Sequence, residues 1–130
     1  QRHDALDRLR PIFDYMENHY SEVITVQEAS KLIGLSKPRF MSLFKYATGH
    51  SFVEHLNNFR IAKGLQLLEN TELPVSEISQ EVGFCDQSYF GLLFRRHMHM
   101  TPIQYRQRAI EALKKDQLSP LIEDLMKRTG

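Results

Sequence analysis

Pro74-Val75-Ser76-Glu77-Ile78-Ser79-Gln80-Glu81-Val82-Gly83-Phe84 occurs twice in this chain, the other time in a looser form. Val75, Ser79, Val82 and Gly83 repeat Val26, Ser30, Ile33 and Gly34 at an offset of 49. One residue is added after the glycines, and at an offset of 50 Phe40, Leu43, Phe44, Lys45, Ser51 and Val53 recur as Phe90, Leu93, Phe94, Arg95, Thr101 and Ile103. An internal repeat is the first thing to seek in a sequence, because it sets the architecture before any single element is assigned. Each copy reads as a helix-turn-helix. A small side chain (Ser30, Ser79) lets a second helix approach, a Gly four positions on supplies the left-handed backbone of a sharp helix end, and apolar residues then follow at helical spacing.

The punctuation outside the repeat agrees. Thr25 with Glu28, Ser51 with Glu54 and Thr101 with Gln104 have capping-box spacing, Ser36 is a good N-cap, and Pro38 and Pro102 suit the first turn of a helix. Ile12, Phe13 and Met16 mark a helix near the start, with Pro11 in its first turn. Phe52, Leu56, Phe59, Leu65 and Leu68 mark one long helix between the copies. No useful length alternates with period two. The expected fold is therefore all-α, with seven core helices near 10–20, 26–33, 37–47, 52–69, 75–82, 86–97 and 102–108. They divide into a first helix-turn-helix subdomain (1–50), a connecting helix (51–70), a second subdomain (71–108) and a C-terminal extension (109–130). Gly64 costs the connecting helix up to ~1 kcal/mol relative to Ala. It marks either a close helix crossing or a tolerated surface position.

With 130 residues, 42% hydrophobic and 25% charged, the chain is one small domain or two sharing a core, and wholesale disorder is excluded. Its longest apolar run, Tyr89 to Phe94, falls far short of the roughly 18–20 residues of a membrane span. No signal peptide opens it, and a start at Gln1 reads as a fragment of something longer. The single Cys85 has no internal partner, which fits a reducing cytoplasm. Net charge is only +1. Yet residues 36–50 hold Lys37, Arg39 and Lys45 with no acid, and 86–108 hold four arginines against Asp86, while 1–35 and 51–85 are net acidic. Two basic islands, one behind each copy, suggest two surfaces facing anions. The connecting helix, about 27 Å long, approaches the ~34 Å between successive major-groove faces of B-DNA.

These residues bring a family into view. From about Pro11 to Arg108 the chain resembles the DNA-binding region of AraC/XylS-type bacterial transcription regulators. The resemblance is strongest in Pro74-Val75-Ser76-Glu77-Ile78, Val82-Gly83-Phe84, Asp86-Gln87-Ser88-Tyr89-Phe90, Phe94-Arg95, Thr101-Pro102 and Gln104-Tyr105-Arg106. It is looser in Gly34-Leu35-Ser36, Leu43-Phe44-Lys45 and Thr48-Gly49. It implies two helix-turn-helix units on a long helix, binding adjacent major-groove segments of double-stranded promoter DNA, in the cytoplasm and more often as an activator. It further implies RNA polymerase as a partner and an effector-binding or dimerisation domain upstream. The groove-facing positions it implies are Pro38, Arg39, Met41 and Ser42 in the first recognition helix and Gln87, Ser88, Gly91 and Leu92 in the second. Ser42 and Leu92 stand where many members carry an Arg, so the usual readers of guanine are missing. Gln87 can pair with adenine, and Met41 or Leu92 can touch a thymine methyl, which points to A·T-rich boxes. Alternatively Leu92 turns into the core and DNA shape carries specificity. Phosphate contacts fall to Ser36, Lys37, Lys45, Arg95, Arg96 and Thr101, at helix starts and ends.

Other functions fit less well. His97 and His99 lie two apart, on different sides of a helix, and Cys85 is alone, so neither a metal site nor catalysis is expected, and no cofactor. A helix-turn-helix that docks proteins instead of DNA is the serious alternative. Against it, both recognition segments keep their basic ends. In the extension, Leu113, Leu118, Leu121, Ile122, Leu125 and Met126 are amphipathic and Pro120 is expected to restart a helix. It could pack on the second unit, meet another subunit or touch polymerase. A packed extra helix is the expectation, against a frayed tail.

Overall fold

The computed structural model describes residues 1–129, with side chains at all of them except 117–119, 128 and 129. Among the described residues it contains helices and no strand: α1 (Arg2–Arg8), α2 (Arg10–His19), α3 (Val26–Leu32), α4 (Lys37–Thr48), α5 (Phe52–Asn70), α6 (Val75–Glu81), α7 (Gln87–Met98) and α8 (Pro102–Thr129). The all-α architecture of two helix-turn-helix units on a connecting helix is as the repeat required.

Two elements differ from expectation. Helix α1 has no counterpart in the sequence reading. Asp4 in its first turn and Arg8 in its last complement the helix dipole. Ala5 and the following Leu9 are buried, and Arg2 Nε donates to the Ala47 carbonyl, 3.0 Å away at the end of α4. Pro11, lacking an N–H, keeps α1 and α2 from being one helix, since its ring would crowd the Asp7 carbonyl in a continuous one. The second difference is α8. Instead of a helix at 102–108 and a new start at Pro120, one helix of 28 residues runs through Pro120. Of the apolar residues expected to pack there, Leu113, Leu121 and Ile122 are more than half exposed, and the side chain of Leu118 lies outside the described residues. Helix α8 lies against α5 and α7, with Arg106 Nε donating to the Leu68 carbonyl and Tyr105 packed on Phe94.

The starts and stops are those the side chains dictate. Thr25, Ser36 and Ser51 accept hydrogen bonds from the amides of Glu28, Arg39 and Glu54 (3.1, 3.4 and 3.1 Å). Asp86 accepts from Ser88, so α7 opens at Gln87. The Thr101–Gln104 box closes both ways, at 3.2 and 3.0 Å. Helices α3 and α6 end at Gly34 (φ +69°) and Gly83 (φ +102°), where Leu35 and Phe84 reach back to the carbonyls of Ser30 and Ser79, each at 2.9 Å.

Two apolar clusters form around these helices. Leu9, Ile12, Met16, Phe40, Phe44, Phe52 and Leu56 build the first, and Ile61, Leu68, Ile78, Val82, Phe84, Phe90 and Phe94 the second. Phe40, Phe44, Phe90 and Phe94 are each fully buried, which contributes roughly 1.5–3 kcal/mol per side chain. Helix α5 belongs to both clusters, through Phe52 and Leu56 at one end and Ile61 and Leu68 at the other. The alternatives for Gly64 are resolved in favour of a close crossing: a Cβ there would lie 3.1 Å from Phe90 Cε1 and 3.2 Å from Cζ.

Candidate nucleic-acid interface

In α4, Phe40, Phe44 and Ala47 face the first cluster with no exposed surface. Spaced four and three apart, they fill the inward side of the helix. The outward side is left to Pro38, Arg39, Met41 and Ser42, all exposed. Helix α7 repeats the division. Phe90, Leu93 and Phe94 face inward, while Gln87, Ser88 and Leu92 are exposed and Gly91 is partly covered. Leu92 does not turn into the core. It is 51% exposed, matching 50% for Met41 on α4, so each helix holds out one large aliphatic side chain. A Cβ on Gly91 would meet nothing within 4 Å, so the backbone of α7 is open there.

The charged ends fall as the sequence placed them. Lys37 opens α4, Lys45 lies in its last turn, and Arg95 and Arg96 lie in the last turn of α7, all four exposed. Two hydroxyls named beside them have local work. Ser36 Oγ accepts from the Arg39 amide, and the half-buried Thr101 holds its capping box. The structure also adds neighbours that sequence reasoning missed. Arg8 and Tyr46 join Leu35, Pro38, Arg39, Ser42 and Leu43 around one shallow groove. Tyr46 had a signal, since it stands seven after Arg39 and four after Ser42 on the same helix face. Arg8 had none, because it arrives on α1. A second groove brings Met41, Ser42 and Lys45 beside Ser51 and the exposed Val53.

Behind these faces lie three perturbed groups. His55 packs its ring against Phe13 and Phe44, and burial, helped by the nearby His50, lowers its pKa. Tyr105 packs edge-on against Phe94 and donates to Glu69; burial, then that hydrogen bond and the carboxylate charge, push its pKa up to about 12. Burial lowers that of Arg60, and the neighbouring Cys85 thiol partly offsets this. Sequence reasoning assigned Arg60 no role beyond its charge: Nε and Nη2 donate to the carbonyls of Tyr20 and Glu22, each at 2.8 Å.

Among the described residues, no three His, Cys, Asp or Glu side chains gather in a way that could hold a metal ion, and no helix is long and apolar enough to cross a membrane. What the geometry offers is two like helices, each with a mixed polar and aliphatic outer face and a basic end.

Comparison with known proteins gives these helices a context. A family model described as a helix-turn-helix domain matches residues 29–108. The MmsAB operon regulatory protein of Pseudomonas aeruginosa is 33% identical over 107 residues, covering 82% of this chain and 34% of that protein. The HTH-type transcriptional activator RhaR of an Enterobacter species is 41% identical over 69 residues, covering 53% of this chain and 24% of that one. Among solved structures, the C-terminal domain of AraT, a response regulator from Geobacillus stearothermophilus, superposes with a TM-score of 0.73 at 31% identity, over 78% of this chain and 84% of that chain. The chain spans about a third of the length of curated relatives such as the Pseudomonas protein.

Proposed function

The chain belongs to the AraC-type helix-turn-helix family, and from that premise we propose that it binds double-stranded promoter DNA with α4 and α7 in adjacent major-groove segments. The observation that carries this reading is the matched division of the two helices: phenylalanines inward, and Arg39, Met41 and Ser42 or Gln87, Ser88 and Leu92 outward. Helix α5 has 19 residues and is about 28 Å long, close to the ~34 Å between major-groove faces on one side of B-DNA.

Within this proposal Pro38, Arg39, Met41, Ser42, Gln87, Ser88, Gly91 and Leu92 meet base edges. Gln87 pairs with adenine, and Met41 and Leu92 touch thymine methyls, so the preferred boxes are A·T-rich. Lys37, Lys45, Arg95, Arg96 and the helix starts at Ser36 and Thr101 meet phosphates. The chain works by binding, without catalysis, in the cytoplasm, as the DNA-binding part of a longer regulator. It activates transcription in company with RNA polymerase, under an effector or dimerisation domain elsewhere in that protein. Relatives named as an operon regulator and an activator support this direction.

Two substitutions test the division of labour. Gln87→Ala is expected to cost roughly 1–3 kcal/mol and relax one base position. Lys45→Ala is expected to weaken all sequences alike and to flatten the slope of log affinity against log salt by about one. Identical behaviour of the two on cognate and scrambled duplexes would contradict the assignment. Salt-sensitive attraction without any sequence preference would favour the protein-docking reading instead.

A further inference from the structure

Three arginines donate to carbonyls at the end of a helix they do not belong to: Arg2 to Ala47, Arg106 to Leu68, and Arg60 to Tyr20. A guanidinium suits such places, because the last carbonyls of a helix lack intrahelical partners and carry the negative end of its dipole. Arg60 differs from the other two in what converges on it. It stands on α5 between Phe59, which packs on the first cluster, and Ile61, which belongs to the second. Its two hydrogen bonds hold Tyr20, the C-cap of α2, and Glu22 in the loop that leads to α3.

The second unit closes on the same spot. The Arg60 guanidinium lies 5.9 Å from the centre of the Phe84 ring, in the turn between α6 and α7. A Cβ on Gly83 would lie 2.6 Å from the Tyr20 carbonyl oxygen and 2.8 Å from Arg60 Nε, so only a glycine lets the turn come this near. Tyr20 packs against both apolar clusters. One turn further along α5, Lys63 pairs with Glu17 of α2 at 3.0 Å and lies over the rings of Tyr20 and Phe59. The loop after α2 and the turn before α7 are thus fastened to each other through one side chain. No carboxylate faces the guanidinium in these contacts; it is held by two backbone carbonyls, whose directions are fixed by the chain. That makes the arrangement a geometric clamp more than an ion pair.

We propose that Arg60 is a positioning residue that fixes the orientation of α7 relative to α4, and through it the spacing of the two DNA boxes that can be bound together. The second half of this statement rests on the DNA-binding reading above; the first half does not. A rigid pair of recognition helices gains affinity on two correctly spaced boxes because the second docks at high effective concentration, and it loses that gain when the spacing is wrong.

The two halves are tested separately. For orientation, nitroxide labels are placed on the exposed positions of α4 and α7 by Tyr46→Cys and Leu92→Cys, with Cys85→Ser, and the distance distribution is read by double electron–electron resonance. The chain with Arg60 is expected to give one narrow distribution. Arg60→Met broadens or displaces it with helix content retained, and Arg60→Lys, which keeps one donor for the Tyr20 carbonyl, restores part of it. An unchanged distribution in Arg60→Met overturns the proposal whatever happens with DNA. Should Arg60→Met fail to fold, a distribution in Arg60→Lys indistinguishable from that with Arg60 overturns it equally. For spacing, unlabelled protein is titrated with two-box duplexes of graded spacer and with a single box. Arg60→Met is expected to lose about tenfold on the best spacer and to flatten the spacer dependence, with single-box affinity changed less than about twofold. Equal losses on one and two boxes would refute the positioning role. If the chain with Arg60 shows no spacer preference, the two-box reading fails, while the distance distributions still decide the clamp.

Discussion

The two helix-turn-helix units share a plan and differ in what leans on it. Phe44 and Phe94, 50 residues apart, fill matching places, and the next helix brings a titratable ring onto each: His55 on Phe44 and Tyr105 on Phe94, again 50 apart. Both rings are favoured in the neutral form, His55 by a lowered pKa and Tyr105 by a raised one. The glycine turns differ more. A Cβ on Gly34 would meet open space, whereas one on Gly83 would strike the Tyr20 carbonyl. The first turn is only a turn; the second is also a joint between units. Repetition supplied two equal modules, and one contact made them unequal.

The largest effect expected from breaking this symmetry comes from the core. Phe94→Ala and Phe44→Ala should each cost about 3–5 kcal/mol, measured by chemical denaturation. Amide exchange should quicken mainly in the unit that was cut, with the second unit loosened by Phe94→Ala and the first by Phe44→Ala. Uniform loosening by either would mean that the clusters do not open separately. Next come the turns. Gly34→Ala should cost about 1–2 kcal/mol for its left-handed backbone alone, and Gly83→Ala about 2–5 kcal/mol, because the methyl also displaces Tyr20. Equal costs would remove the distinction between turn and joint.

Smaller still is the effect at the end of the recognition helices. Helix α4 closes on Gly49, but α7 closes on His99 at φ +58°, a left-handed residue with a side chain. His99→Gly should gain about 1 kcal/mol, seen as a higher melting temperature. The smallest effect is in pH. The folded pKa of His55 lies below 6.5, so the unfolded chain takes up a proton there first. Stability is therefore complete above pH 6.5 and falls as pH drops through it, a loss that His55→Gln should abolish. Tyr105 behaves oppositely: its contribution is complete below pH 10 and is lost as pH rises toward about 12, and Tyr105→Phe should remove that loss. Thermal melts across both ranges read the two slopes.

Much of the fold was legible because it was local. The caps at Thr25, Ser36, Ser51 and Thr101 are side chains acting on amides three residues away, and the inward phenylalanines follow helical spacing. What escaped was made by distance. Helix α1 has a mostly charged sequence and is held by burial of Ala5 and by a bond to Ala47, 45 residues away. Arg60 bonds to backbone carbonyls 40 and 38 residues before it, and carbonyls carry no residue type for a pattern to reveal. Pro120 was read as a helix start from local preference, yet α8 continues through it. Of the interface, the outward faces of α4 and α7 could be read from their inward phenylalanines, except at Leu92, which the sequence left between groove and core and the structure shows exposed. Arg8 could not, because the helix bearing it went unseen.

The central claim is that two like helices on one rod read two boxes on one face of a duplex. Selection of bound sequences from random duplex DNA at near-physiological salt tests it most directly. The account predicts two short A·T-rich boxes about one helical turn, ~10 base pairs, apart, with selectivity lost at one box in Gln87→Ala and kept at the other. A single enriched box, or no enrichment with binding that vanishes as salt rises, would contradict it.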